Sequence, residues 1–290
     1  MTRKTGFDAH VLMNGIEAVL RAARKLLKIS ESRDGRSIHA RLYSWVLDIL
    51  TLGRGIKRCI NEESALFLDP RCRFLGNSYE PEVCSWLKTR VKPGDVVMDV
   101  GAQFGIYAMF FARWTGQTGH VFAFDPSPEA QRMLQRHLTK NALEDRITIV
   151  KDAVGSEDGT ALLHAAGSDP QNSLVSLGDD RMARESIQVA VTRLDSFCAE
   201  RGIKPGIVKI DTEGWELPIL RGAGALLKDE NITWVVEMHP YAWPDAGYTR
   251  ADFEALLREH GMEVVPLTGQ DDPLATYGDT YLRRVFSARV

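Results

Sequence analysis

The chain has 290 residues, 44% of them hydrophobic and 26% charged, with a formal net charge of −3. That balance is ordinary for a globular protein with room for one large domain plus an extension, and it makes no global electrostatic case for nucleic acid or an anionic membrane as partner. Cys59, Cys72, Cys84 and Cys198 form no CxxC pair and are accompanied by no histidine cluster. This argues against a disulfide framework or a structural zinc site and fits a reducing, cytoplasmic setting.

No long apolar core follows Met1 to Asp8, so no secretory signal is expected. No run of about 18 uncharged apolar residues suggests a transmembrane helix. Residues 8–28 carry Val11, Leu12, Ile16, Val19, Leu20, Ala23, Leu26 and Leu27 at helical spacing, with Arg21, Arg24, Lys25 and Lys28 on the other face. Such a basic amphipathic helix is expected to pack on its own domain or on a second subunit, in preference to a membrane surface. Residues 30–37 are polar and suit a linker. A second helix is expected over about 38–52, a short strand pair near Ala65–Leu68 and Arg73–Phe74, and a helix from Glu80 to Thr89. Residues 1–77 are taken as a helical extension, a lid or a homodimer contact, and residues 78–290 as the main domain.

From Val96 onward, strands and helices alternate. Strands are expected at 96–100, 120–125, 147–152, 207–211, 232–238, 262–267 and 280–288, and helices at about 104–114, 127–141, 215–227 and 249–260. Alternation of this kind implies an α/β fold with a mostly parallel sheet and helices on both faces. Residues 159–166 and 187–193 suit an extra antiparallel ribbon. The last two strands meet through a loop with no helix, so the final strand is expected to be antiparallel.

The run Val96-Val97-Met98-Asp99-Val100-Gly101-Ala102-Gln103-Phe104-Gly105 is a buried strand that breaks at glycine and enters a helix. Gly101 and Gly105 would let backbone approach a ligand closely. The next strand ends in Asp125-Pro126, and an acid at that point, roughly 20 residues past the glycines, is the usual partner of a ribose diol. Asp152 and Asp211 close the third and fourth strands. A nicotinamide cofactor would call for G-x-G-x-x-G, and Gly101-x-x-x-Gly105 lacks the middle glycine. Asp99 would repel a phosphate but could accept hydrogen bonds from an amino group. These features suit S-adenosylmethionine, which carries a sulfonium, an ammonium, a ribose and an adenine but no phosphate.

Residues 93–105 resemble motif I of class I methyltransferases. The segment Lys209-x-Asp211-x-Glu213-Gly214-x-Glu216-x-x-x-Leu220-x-Gly222 is similar to the K-x-D-x-E-G-x-E-x-x-x-L-x-G signature of the FkbM family, and Thr192-Arg193-Leu194-Asp195 to its T-x-L-D element. The resemblance covers about residues 78–270. It implies a Rossmann-like seven-stranded methyltransferase that uses S-adenosylmethionine, releases S-adenosylhomocysteine, and methylates mostly hydroxyls of sugars or small molecules such as natural products. Carried over by position, Asp99, Gly101, Ala102, Gln103, Phe104 and Gly105 would line the methionine end, and Asp125 would take the ribose. Asp152 and Ala153 would meet the adenine, with Phe104 and Pro126 as apolar walls. Gln103 stands where the family commonly has asparagine. Glu80 resembles the family's acid before motif I and would reach the cofactor from the lid.

Methyl transfer from a sulfonium needs positioning and removal of the nucleophile's proton. Along their strands Lys209 and Asp211 share a face, as do Glu237 and His239. His239 is the first candidate for general base, since its unperturbed pKa lies near neutrality. Asp211, Glu213 and Glu237 follow, with Lys209 neutralising the acids. Glu216, in the first turn of a helix, is assigned to helix N-terminal electrostatics. Asp211, Glu237 and His239 could alternatively hold a divalent ion, but no metal is expected. Tyr241, Trp243 and Tyr248 lie on a loop that could close over an acceptor, and Arg181 and Arg184 could meet an acidic one. Two further readings compete: a nicotinamide-dependent oxidoreductase on the same βαβ unit, and a non-enzymatic domain that binds a partner through the basic N-terminal helix.

Overall fold

The computed structural model describes residues 38–165 and 185–285. The expected basic helix 8–28, the linker 30–37, Arg181 and Arg184 lie outside them. The chain separates into two compact units, residues 1–77 and 78–290.

In the first unit, helix α1 (Ile38–Leu50) is followed by strands β1 (Ile56–Arg58) and β2 (Leu66–Leu68). These pair antiparallel, Ile56 opposite Leu68. The expected partner at Arg73–Phe74 is not a strand. Pro70 starts a 3-10 turn over Pro70–Cys72, and the Asp69 carboxylate caps it by accepting from the Arg71 amide. That turn ends β2 and sends the chain away, so β2 pairs backward with β1.

The second unit begins with α2 (Pro81–Lys88) and continues as β3 (Val96–Val100), α3 (Ile106–Trp114), β4 (His120–Phe124), α4 (Pro128–Asn141) and β5 (Ile147–Val150). A ribbon follows, β6 (Ala153–Val154), β7 (Gly159–Ala165) and β8 (Glu185–Thr192), then α5 (Leu194–Arg201), β9 (Ile207–Ile210), α6 (Glu216–Arg221), β10 (Thr233–Met238), α7 (Arg250–Glu259), β11 (Met262–Pro266) and β12 (Gly278–Arg284). The seven-stranded sheet has the order β11-β12-β10-β9-β3-β4-β5. The pairs β3/β4, β4/β5, β3/β9 and β9/β10 are parallel, whereas β12 runs antiparallel to both β10 and β11. The α/β fold, the mostly parallel sheet and the antiparallel last strand agree with the pattern of apolar runs. The expected helix 215–227 is shorter, since α6 stops at Arg221 and a separate 3-10 turn covers Leu226–Lys228. Gly222 and Gly224 in between explain the break.

The central strands are apolar almost throughout because helices cover both faces of the sheet. In β9, Ile207, Val208, Lys209 and Ile210 are all buried. Helix α3 is buried from Ile106 to Ala112, so nearly all its sides are apolar. Helix α4 starts cleanly, with the Ser127 hydroxyl accepting from the Ala130 amide and Pro128 at its first position.

The order of strands places β3 beside β9, and their ends meet tightly. Gly101 has φ +85°, and a Cβ there would lie 1.7 Å from the backbone oxygen of Asp211. Gly101→Ala is therefore expected to cost on the order of 3 kcal/mol or more, combining a left-handed alanine with a clash that must push the loops after β3 and β9 away from each other. Urea denaturation checks this, and a midpoint matching the wild type would show that the loops separate freely.

Candidate functional site

Strand register builds the site. Asp99, Lys209 and Val235 lie side by side on β3, β9 and β10 and so share one face of the sheet. Two residues further along β10, Glu237 continues that face, and it pairs directly with Asp279 on β12. Lys209 is 1% exposed. Its ammonium is 3.0 Å from Asp211 Oδ2 and 4.6 Å from the centre of the Tyr107 ring. Burial alone would strip its proton. The carboxyls of Asp211, Glu80, Glu237 and Asp279 outweigh that and hold it charged to well above the ordinary lysine range.

One lysine does not neutralise all these acids. Burial, opposed by Lys209 and reinforced by Asp211, pushes Asp99 up to about 7. Asp279 is raised to about 6 by burial, with Lys209 pulling the other way and Glu80 and Asp211 adding to the rise. Glu237 is driven far above the carboxylate range by burial and by the charge of Asp211, with which it shares a hydrogen bond. Asp211 itself is held low: burial opposes ionisation, but Lys209, Glu237 and His239 overcome it. Asp99 Oδ2 and Asp279 Oδ1 are buried and have no hydrogen-bond partner. Both are acceptors lacking a donor, which fits a cationic ligand.

Beyond the end of β10, His239 is also buried, at 1% exposure. Its Nδ1 lies 2.7 Å from Glu216 Oε1, and its Nε2 lies 3.5 Å from Glu213 Oε2. Glu216 is 0% exposed. Its Oε1 also accepts from the Gly214 amide at 2.9 Å, and its Oε2 accepts from Trp243 Nε1 at 2.8 Å and from the Tyr248 hydroxyl at 3.1 Å. Burial pulls the His239 imidazolium down. The hydrogen bond to Glu216 and its charge, with Asp211 and Glu213 behind, reverse this and hold the ring above its usual 6.5.

Glu216 does sit in the first turn of α6. Its carboxyl nevertheless turns inward onto His239, and the helix terminus alone does not describe it. Trp243 and Tyr248 are likewise buried around Glu216, with Trp243 stacked on Phe253. They are not placed to close over an acceptor. Tyr241 is exposed, and its hydroxyl donates to Glu213 at 3.1 Å.

At the ends of β3 and β4, both Asp125 oxygens accept backbone amides, Oδ2 from Gln103 at 2.8 Å and Oδ1 from Ser127 at 2.9 Å. Burial raises Asp125 to about 6 against those two bonds. Asp125 thus braces the 101–105 loop and keeps further lone pairs for another donor. Gly105, at φ +78°, caps α3, and a Cβ there would strike Leu134 at 2.1 Å. The packing of the chain itself thus leaves no room for a side chain at either Gly101 or Gly105. His137, buried on the apolar face of α4, contacts the Phe104 carbonyl through Nδ1 at 2.7 Å. Its spacing from Ala130, Met133 and Leu134 marks it as inward-facing in the sequence, although not its partner. Phe104, Pro126 and Asp152 are half-buried. Ala153 packs its side chain with Leu163 and Val189, so only its backbone can meet a ligand. Ala102 is buried, with its amide on the Phe124 carbonyl at 3.0 Å. Glu80 stands before α2 with φ 42°, a left-handed conformation uncommon for a side chain of that size.

Sequence spacing does not bring Asp211, Glu237 and His239 together, and the structure does, with one ligand atom of each within 4.8 Å of the others. The positive charge in that cluster already comes from Lys209. Asp279 and Tyr277, whose hydroxyl donates to Glu237, have no signal in the sequence. They reach the site because β12 returns antiparallel beside β10.

A seven-stranded sheet in this order, with acids at the carboxyl ends of its central strands, is the architecture of class I methyltransferases. A family model described as the Methyltransferase FkbM domain matches residues 99–264. The chain is 30% identical over 231 residues to the 31-O-demethyl-FK506 methyltransferase FkbM of Streptomyces tacrolimicus, covering 69% of this chain and 82% of that protein. It is 26% identical to the hexuronic acid methyltransferase AglP of Haloferax volcanii, over 67% of this chain and 74% of that one. The crystal structure of Methyltransferase FkbM from Methylobacillus flagellatus is 16% identical, with a TM-score of 0.44, and the match spans 84% of this chain and 54% of that one. The chain belongs to the FkbM family of S-adenosylmethionine-dependent methyltransferases. No helix among the described residues is long and apolar enough to cross a membrane.

The raised carboxyls set a pH dependence. Asp99, Asp125 and Asp279 bind protons more tightly folded than unfolded, and so does His239. For the three carboxyls this contribution to stability is complete below the unfolded value and is lost as pH rises through about 6 to 7, and that of His239 is complete below its unfolded 6.5 and is lost at higher pH. Asp99→Asn does not carry the cost of ionising a buried carboxyl. It is expected to gain stability relative to wild type between pH 5 and pH 8, read as urea midpoints without cofactor. A constant difference across that range would contradict this.

Proposed function

We propose that this protein transfers a methyl group from S-adenosylmethionine to a hydroxyl of a sugar or other small molecule, with His239 as general base. The arrangement at His239 carries the reading: a buried imidazole at the end of β10, fixed on one nitrogen by Glu216, with the other turned toward Glu213. The names of the two relatives, an O-demethyl-FK506 methyltransferase and a hexuronic acid methyltransferase, support an oxygen acceptor on a natural product or a sugar.

The residues at the carboxyl ends of the strands fit S-adenosylmethionine. Its two positive charges match the surplus of acids around Lys209 and the orphaned Asp99 Oδ2. Asp99, with Glu80 and the 101–105 loop, would hold the methionine end. Asp125 would accept from the ribose hydroxyls, Asp152 and the Ala153 backbone would face the adenine, and Phe104 and Pro126 would wall it. When bound, the cofactor supplies a methyl carbon on a sulfonium, so the acceptor oxygen forms its bond to carbon while the carbon–sulfur pair leaves with sulfur.

The chain's own work is to take the proton and hold the charges still. His239 Nε2 accepts the proton from the acceptor hydroxyl. The imidazolium so formed is stabilised by Glu216 on one side and Glu213 on the other. Lys209 keeps Asp211 ionised and ordered, and Glu237, held protonated, supplies a hydrogen to Asp211 and leaves the cluster one charge less negative. Fixed dipoles and charges of this kind need little reorganisation during the reaction. No step uses a metal ion.

Calorimetric titration of the purified chain with S-adenosylmethionine and S-adenosylhomocysteine tests the cofactor. Wild type is expected to bind both. Asp125→Ala removes an acceptor for two hydroxyls and loosens the 101–105 loop, so affinity should fall by about tenfold to a hundredfold. NADH run alongside tests the oxidoreductase reading, and binding of NADH in place of S-adenosylmethionine would overturn the proposal.

A further inference from the structure

Glu216 is a carboxyl group with no exposure at all. Burying one is costly unless every lone pair in use meets a donor. Here four donors converge. Oε1 takes the Gly214 amide and His239 Nδ1, and Oε2 takes Trp243 Nε1 and, at 3.1 Å, a share of the single Tyr248 hydroxyl proton, whose nearer acceptor is the Gly214 carbonyl at 2.7 Å. An ionised carboxylate only accepts, so with Glu216 charged the hydrogen of the 2.7 Å contact sits on Nδ1. That fixes the neutral tautomer of His239 and leaves Nε2 as the nitrogen with a lone pair. The ring cannot flip without breaking its 2.7 Å contact to a group that is itself pinned by three other bonds.

We propose that Glu216 is the positioning residue of His239: it selects the Nδ1–H tautomer and aims Nε2 at the acceptor hydroxyl. The inference rests on the reading of His239 as base but makes a separate claim about the ring. As the hydroxyl proton passes to Nε2, the ring becomes an imidazolium with Nδ1–H still on Glu216, and the electron pair of the broken O–H bond stays on oxygen for the new carbon–oxygen bond. Other titratable groups also face the ring. Glu213 and Asp211 come from the stretch after β9, Glu237 from β10 itself, Tyr241 from the loop after it, and Tyr277 and Asp279 from the region of β12. Glu216 differs from them in holding Nδ1 directly.

The test needs no acceptor. The full chain is labelled with ring nitrogen-15 histidine, loaded with S-adenosylhomocysteine and followed by long-range proton–nitrogen correlation across pH. His239 is assigned by the signal lost in His239→Gln. In wild type, the neutral ring is expected with Nδ1 protonated and Nε2 bare, titrating above 6.5 because of the surrounding acids. Glu216→Gln removes a negative charge from Nδ1, so the midpoint should move to lower pH and the Nε2–H tautomer should appear. Trp243→Phe and Tyr248→Phe each remove one donor to Oε2 and leave Nδ1–Oε1 in place, so they should lower stability without changing the tautomer. A wild-type ring that is Nε2–H overturns the proposal even if Glu216→Gln fails to fold. So does a Glu216→Gln spectrum identical to wild type, or an equal tautomer change in Trp243→Phe. If the ring behaves as expected in a protein that calorimetry shows to bind neither S-adenosylmethionine nor S-adenosylhomocysteine, the pairing stands and the methyltransferase reading falls.

Discussion

A single ammonium, that of Lys209, makes the rest of this site possible. Its strand is central in the sheet, with β3 on one side and β10 on the other, and the residue is almost fully buried. A lysine in that position would normally lose its proton. It keeps it because Asp211 lies at 3.0 Å and because Glu80, Glu237 and Asp279 add to the same potential. The arrangement is also uneven, with more carboxyls than cations. The imbalance appears as protonation: Glu237 retains its hydrogen, and Asp99 and Asp279 titrate far above ordinary aspartates. A buried carboxyl raised in this way is one that a second positive charge would stabilise, and the family's methyl donor brings positive charge without phosphate. The same surplus disfavours a phosphate-bearing cofactor at this end of the sheet.

Much of this is legible in the amino-acid order, for physical reasons that differ from residue to residue. Asp99, Asp125 and Asp211 stand at or near the ends of mostly apolar runs, and a parallel strand buried on both faces reads as such a run. The alternation of period 2 and period 3.6 segments locates the seven strands to within a few residues at each end. For Glu216 the order points to the right helix but to the wrong emphasis. Its chemistry depends on Trp243, Tyr248 and His239, more than 20 positions downstream, and one-dimensional spacing carries no trace of that convergence. Asp279 and Tyr277 are invisible for the same reason, since only the antiparallel return of β12 sets Asp279 opposite Glu237. Gly101 and Gly105 do stand out as positions without room for a side chain. The crowding comes from Asp211 and Leu134, and a glycine in sequence does not announce which neighbour it must admit.

The spacing K-x-D-x-E-G-x-E can now be given a mechanical meaning. Lys209 and Asp211 alternate with Ile210 along a strand, so two residues apart puts them on one face and within hydrogen-bonding reach. The chain then leaves the sheet through Glu213 at φ 51° and Gly214 at φ 101°, both left-handed, which turns it sharply. The turn closes when the Gly214 amide donates to Glu216 at 2.9 Å. As a result Glu213 and Glu216, three residues apart, come to opposite sides of one imidazole, at 3.5 Å from Nε2 and 2.7 Å from Nδ1. A shift of one residue anywhere in this segment would carry an acid to the other side of the strand or into the helix barrel. The signature is thus a strand, a turn and a helix start folded to meet two nitrogen groups in succession, the Lys209 ammonium within the sheet and the His239 imidazole beyond the carboxyl end of β10. The two differ in what they are free to do. Lys209 is locked among charges that keep its proton in place, whereas His239 has one nitrogen held by Glu216 and, in the mechanism proposed above, uses the other to take a proton.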